Sequence, residues 1–507
     1  MIRSSGVVLV KNSLYNFVGQ IAIMLVAIVS IPVVIHKIGV ESFGLLSLIW
    51  MVVGYFSILD LGVGQANVKY LSEQISRKEI ELANNTLCVS IYLSCVIGFL
   101  ISIVVFFLKP LFMKLASDIS PELQLQLGLS IYWISIAIPF IIVSSAIRAV
   151  PMALQRFDII NIIQVLSGLL QWFGFIILAI FFDVGLLGLV IYTVVLRITF
   201  AFVTFWIVLK LIPWFSIIKL TDIKSTVYRL LKFGTWITVS QIVSPVTRYL
   251  DRVLLVSYHS LELFAFYSVP YEAISRLQVL PASMSTTLFP AFAERESIDE
   301  FGRGAIRRLY NRALNFLILA VLPITIILFT FSNDILYVWL GGDFPKMSNS
   351  VFKLLTIAWL LQSVCYIPLT VLQAIGKPDI AAKFYLLEIP LYFIVCLILI
   401  PKWGIEGAAL STLLRFIIIV AVFLVAAHID VGSGKKDIIN ILKILLVNAF
   451  FFLILLGSSV FYKDLSLKLL ITFLSVIAYS FYAWFYCIGE NDREAIKKLK
   501  IYDELKK

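Results

Sequence analysis

The sequence predicts an all-α, multi-pass membrane protein of about fourteen transmembrane helices, arranged in two pseudo-symmetric halves with N- and C-termini in the cytoplasm. Three observations predict it. First, 61% of the 507 residues are hydrophobic and 14% are charged, more apolar surface than a soluble core of this mass can bury. Second, apolar runs of about 20 residues recur from end to end, the length that crosses a bilayer as a helix; the alternating segments of a β-barrel do not dominate. Third, the net charge of +11 is distributed as a topology signal rather than as a nucleic-acid patch. Of the 41 lysines and arginines, 27 fall on alternate loops and the two ends, against seven on the opposite loops. The positive-inside rule makes the richer side cytoplasmic.

The expected spans are 12–36, 42–66, 84–108, 125–148, 157–182, 185–209, 229–257, 261–290, 309–332, 350–374, 380–400, 404–427, 438–460 and 466–488. The first run is too long for a signal peptide and no small-residue cleavage site follows it, so it reads as a span. Span one carries Asn12, Ser13, Asn16 and Gln20 on one side; span six carries Arg197. Span seven carries Arg248, Asp251 and Arg252 within two turns of "SPVTRYLDRVLLV". Each charge near a bilayer centre costs about 2.5–3.5 kcal/mol on insertion scales, so these groups must face protein or water.

A helical projection supports that. In span seven, Thr247, Ser240, Asp251, Ser244, Arg248, Gln241 and Arg252 share one arc. In span eight, Ser275, Ser268, Thr286, Glu272, Ser283, Arg276 and Thr287 do the same. Two uses of these charges stay open. Arg248–Asp251 and Glu272–Arg276 have helix-pairing spacing and could join span seven to span eight as internal salt bridges. Alternatively, Arg248, Arg252 and Arg276 outnumber Asp251 and Glu272, which suits a cationic cavity for an anionic substrate, since guanidinium forks bind phosphate bidentately. Glu388 and Arg415 read as an inter-helix pair.

The halves emerge from a repeat. Glu41, Phe43 and Ser47 of "ESFGLLS" recur 221 residues later as Glu262, Phe264 and Ser268 of "ELFAFYS", and Asp158 recurs as Asp379. Gly185, Gly188 and Arg197 find counterparts in Gly404, Gly407 and Arg415. An even number of spans separates the copies, so the repeats are parallel, with a site expected at their interface. The expected layout is a six-helix lobe (1–209), a cytoplasmic linker (210–228), a second six-helix lobe (229–430), two additional spans (431–488) and a basic cytoplasmic tail (489–507).

Several functions are disfavoured. The loops are short, no GxxxxGK[ST] nucleotide loop occurs, and three scattered histidines and five intramembrane cysteines show no metal or redox spacing. No cofactor or metal is expected; an ion gradient (Na⁺ or H⁺), the membrane potential or the substrate's own gradient would supply energy.

At two places the residues take on a family likeness. "SILDLGVGQANVKYLSE" (57–73) resembles the LDLGLG motif of polysaccharide flippases, and "YLDRVLLVSYHSLELFAFYSVPYE" (249–272) with "TTLFPAFAE" (286–294) resembles their span-seven-to-eight region. That family is the Wzx-type (O-antigen) group of the multidrug/oligosaccharidyl-lipid/polysaccharide exporter superfamily. The resemblance implies a non-enzymatic transporter in the bacterial cytoplasmic (inner) membrane. Its substrate would be an undecaprenyl-pyrophosphate-linked oligosaccharide, moved from the inner to the outer leaflet by alternating access for surface polysaccharide synthesis. It also implies pyrophosphate binding by cavity arginines, here Arg248, Arg252 and Arg276, with Gln241, Ser244, Glu272, Asn16 and Gln20 around them. Asp60 and Asp251 belong to its motifs as structural or coupling residues, with Arg197, Glu388 and Arg415 beside them. Partners implied are the bilayer, the lipid-linked glycan, a glycan polymerase and other export machinery, and no nucleic acid; one chain encloses the expected cavity, so a monomer suffices. Span one lacks the arginines of the lipid II flippase, which argues against lipid II as substrate. Two alternatives remain: a cation-coupled multidrug antiporter of the same fold, and a membrane glycan polymerase or ligase.

Overall fold

A computed structural model describes residues 6–58, 60–115, 120–154, 156–182, 184–216, 222–296, 301–431 and 465–482, with single positions between 450 and 457 and at 485. Among them every regular element is a helix, as a lipid-exposed backbone requires. The expected span at 438–460 and the basic tail lie outside, or almost wholly outside, the described residues. Eight described helices are long and apolar enough to cross a membrane by length and composition.

The chain forms two compact units, residues 1–276 with 385–411, and residues 277–384 with 412–507. The first unit contains α1 (Gly6–Ile38), α2 (Val40–Ile58), α3 (Val63–Ser76), α4 (Ile80–Phe107), the short α5 (Lys109–Leu115), α6 (Pro121–Ala153), α7 (Phe157–Phe181), α8 (Leu186–Leu211), α9 (Ile223–Tyr258) and α10 (Leu261–Arg276). Its helices meet through small residues and side-chain-to-backbone hydrogen bonds, because lipid supplies little hydrophobic drive between helices. Ser30 of α1 donates to the Trp172 carbonyl of α7 (3.1 Å), and Asn67 of α3 to the Ala146 carbonyl of α6 (2.9 Å). Leu71, Leu87, Ile147, Val150 and Val208 form a buried apolar core between α3, α4, α6 and α8. The backbones of α2 and α10 approach closely: a Cβ added to Gly44 would sit 2.6 Å from the Leu261 carbonyl oxygen. These two helices hold the repeat-related "ESFGLLS" and "ELFAFYS".

Ser216, Thr226 and Arg229 are tied to the start of α4. Asn84 donates to the Ser216 carbonyl and accepts from the Ser216 amide, both at 2.9 Å. Asn85 donates to Thr226 (3.3 Å), and Arg229 donates to Thr86 (3.3 Å).

Two expected spans are broken. Span two divides into α2 and α3, with a sharp turn at Asp60–Gly62 where Leu61 has φ 53°. Span eight divides into α10 and α11 (Val279–Glu296). The projection from Ser268 to Thr287 therefore runs over two helices and not one.

The second unit contains α11, α12 (Phe301–Thr330), α13 (Ser332–Trp339), α14 (Phe344–Ala374) and α16 (Leu465–Tyr482), with both ends of α15 (Pro378–Val431). Gln278 donates to Gln362 (2.6 Å), Ser285 pairs with Thr370, and Lys468 of α16 reaches Asp334 of α13 (3.2 Å). Lys377 pairs with Asp430 at 2.5 Å. A straight 54-residue helix would run about 80 Å, far beyond one bilayer crossing. The α15 backbone instead breaks at Gly404 (φ 53°, ψ −126°), a left-handed conformation suited to glycine, between expected spans eleven and twelve.

Candidate functional site

Asp251 and Arg252 of span seven and Glu272 and Arg276 of span eight lie in the first unit, at the C-terminal part of α9 and along α10. Asp251 and Arg252 are both buried, at 1% and 4% exposure. Tyr267 donates a short hydrogen bond to one Asp251 oxygen, and the Arg252 amide donates to the other at 2.9 Å. The Arg252 guanidinium is held between two aromatic faces, 4.0 Å from the Tyr271 ring centre and 5.3 Å from that of Tyr249. Its Nη1 lies 3.5 Å from Glu272, whose side chain keeps about a third of its surface exposed.

Arg276 ends α10, one turn after Glu272. Its guanidinium lies over Trp172 of α7 at 5.2 Å, and Trp172 is packed with Trp50 and Phe175 into an aromatic block. The Nε groups of Arg252 and Arg276 are buried and have no acceptor among the described residues. Buried donors usually find partners, so two guanidinium groups whose Nε donors lack acceptors among the described residues form a site with unused donor capacity.

This corrects one expected pairing. Glu272 makes its ion pair with Arg252 of α9 rather than with Arg276 of its own helix. The pair does join span seven to span eight, as the bland reading of the charges requires. The side chains of Arg248, Gln241, Ser244 and Asn16 lie outside the described residues. Gln20 is half-buried on α1. Arg197 of α8 is half-buried, with its Nε lacking an acceptor among the described residues. Glu388 is buried on α15 in the first unit, whereas Arg415 is half-buried on α15 in the second, against Phe416.

Asp60 has a different role. One carboxylate oxygen accepts from the Gly62 amide (2.9 Å); the other accepts from the Gly64 amide (3.1 Å) and from the Ser145 hydroxyl of α6 (2.6 Å). It caps the start of α3 across the break in span two and ties the break to α6. This geometry favours the structural reading of the motif acid.

Tyr249, Tyr267, Tyr271 and Trp172 are site residues that sequence reasoning did not single out. Tyr267 lies off the polar arc of α10 and reaches Asp251 only through the packing of α9 on α10; a projection of one helix cannot register that. His259 holds the Ile400 carbonyl at 2.9 Å, next to the helix break at Gly404. Among the described residues no group of three or more His, Cys, Asp or Glu is placed to hold a metal ion.

Comparison with known proteins places the chain. The chain is 27% identical over 417 residues to a putative O-antigen transporter of Shigella flexneri, covering 81% of this chain and 95% of that protein. Among solved structures, the lipid II flippase MurJ in an inward closed conformation superposes with a TM-score of 0.73, covering 93% of this chain and 99% of that one at 16% identity. An inward-facing multidrug resistance MATE family transporter of the MOP superfamily superposes with a TM-score of 0.67, covering 83% and 99% at 13% identity. The chain thus has the all-α, multi-pass fold that these two solved structures share. Residues 9–296 match the model of the polysaccharide biosynthesis protein family, and the chain belongs to that family.

Proposed function

We propose that this protein is a flippase for a lipid-linked oligosaccharide, carrying it from the inner to the outer leaflet of the bacterial cytoplasmic membrane by alternating access, with no bond made or broken. The pyrophosphate joining lipid to glycan would be held by Arg252 and Arg276, with Arg248 as a further candidate. The observation that carries this reading is the pair of buried guanidinium groups, Arg252 and Arg276, whose Nε donors have no acceptor among the described residues. A sugar–pyrophosphate headgroup cannot shed its hydration to cross about 30 Å of hydrocarbon at a useful rate. Fixed guanidinium groups replace that lost hydration, and Tyr249 and Tyr271 beside them provide hydroxyls and ring faces for sugar.

Family membership and the 27% identical putative O-antigen transporter support the same reading. The MATE-like fold keeps cation-coupled drug antiport as the rival, but a cationic cluster repels cationic drugs, and Asp60, the first-half acid deepest in a span, is occupied as a cap. An ion gradient or the membrane potential would drive the cycle.

The test is the sidedness of lipid-linked oligosaccharide in cells depleted of this protein, read by lectin access before and after opening the membrane. We expect inner-leaflet accumulation that wild type rescues and Arg276→Ala, at equal membrane abundance, fails to rescue. Rescue by Arg276→Ala at wild-type level would reject the anion-site assignment; outward-facing glycan in depleted cells lacking any second flippase would reject the function.

A further inference from the structure

Resting on the proposed function, we infer that Glu272 is a resident counter-anion of the empty carrier: its carboxylate occupies the place the substrate's pyrophosphate takes, and the incoming phosphate displaces it from Arg252.

Arg252 is almost fully buried, and a buried guanidinium without a counter-charge is costly, more so within a membrane. Asp251 is adjacent, yet its two oxygens are taken by the Tyr267 hydroxyl and the Arg252 backbone amide, so it is fixed in place. Glu272 is held differently. Its contact with Arg252 is a single long one at 3.5 Å, and it keeps about a third of its side-chain surface open. A strong charge-assisted bond would run at about 2.7–2.9 Å and, with arginine, often as a fork. Here Nε of Arg252 stays without an acceptor, so the fork is not engaged.

Glu272 also sits one helical turn before Arg276, on the same side of α10. Arg276 likewise keeps a buried Nε without an acceptor. A loosely held monovalent carboxylate thus stands against one guanidinium group and a helical turn from another, and both groups have unused donors. A pyrophosphate carries more charge and more oxygens than a carboxylate, and can engage both forks at once. Glu272, being exposed at its tip, has somewhere to go when it is displaced. The arrangement neutralises the site when it is empty and yields when it is filled, which keeps unpaired arginines from trapping the carrier.

The experiment measures binding of inorganic pyrophosphate to the purified full-length protein in nanodiscs by calorimetry, with thermal unfolding as a control for folding. Glu272→Gln removes the competing charge. Glu272→Asp keeps the charge but draws it one methylene back from Arg252. We expect pyrophosphate to bind about tenfold tighter to Glu272→Gln and severalfold tighter to Glu272→Asp, and to lose saturable binding in Arg276→Ala. Wild-type affinity in Glu272→Asp alongside tighter binding in Glu272→Gln would show a nearby static charge and overturn the exchange. Unchanged or weaker binding in both, or loss of folded protein in both, would make Glu272 a structural bridge and also overturn it. Those outcomes leave the anion site standing as long as Arg276→Ala still abolishes binding. Binding that is equal in wild type and Arg276→Ala, or absent from both, would remove the anion site itself and this inference with it.

Discussion

Asp60 and Glu272 are acids beside broken helices in the same unit, and they are treated in opposite ways. Asp60 receives three hydrogen bonds from neutral donors and faces no arginine in them; its two oxygens are fully used. Glu272 has one long contact to a charged donor, and the guanidinium groups around it have donors left over. A polar group whose bonds are all closed within the protein holds a shape. One whose partners remain under-used is available to something that arrives. The contrast separates scaffold from site without reference to any relative.

The comparison can be broken most directly at Asp60. Asp60→Ala leaves two amides and a hydroxyl without their acceptor, at about 1–3 kcal/mol for each unsatisfied buried group. We expect a strong fall in folded protein in the membrane, while any molecules that fold retain pyrophosphate affinity; normal abundance with lost binding would move Asp60 into the site. Gly44→Ala should come next, because its Cβ would meet the Leu261 backbone at 2.6 Å. Overpacking of this kind costs about 1–3 kcal/mol, read as a lowered unfolding temperature. Ser145→Ala should be mildest, removing one donor of three to Asp60 for about 1 kcal/mol, with glycan export near wild type. A large loss of export in Ser145→Ala at normal stability would mean that the break in span two is a moving part.

Much of this architecture was legible in the sequence. Apolar run length gives the helices because lipid forbids most alternatives, and the family likeness at residues 57–73 and 249–294 points to the exporter fold. Breaks inside spans were less visible. Nothing in the hydropathy around Leu277 and Gln278 marks a division of span eight, and "LDLG" reads as apolar continuation until Asp60 is seen gathering the amides that follow. Of the site, Arg252, Glu272 and Arg276 were recognisable as charges with no business in lipid. Their aromatic neighbours were not, since Tyr271 and Trp172 are ordinary residues of apolar helices until tertiary packing brings them against a guanidinium. The contact of Glu272 with Arg252 was not legible either, because helix spacing speaks only for partners on the same helix.

The Gly44 crossing has a consequence for how such a protein can diversify. Where two helices touch through a side chain, trimming or extending it loosens or shifts the contact in small steps. At Gly44 there is no side chain to adjust, and the Leu261 backbone leaves no room to add one. That joint admits no gradual variation, so any adaptation to a longer or differently branched glycan must be written elsewhere, on faces where side chains still stand between the helices.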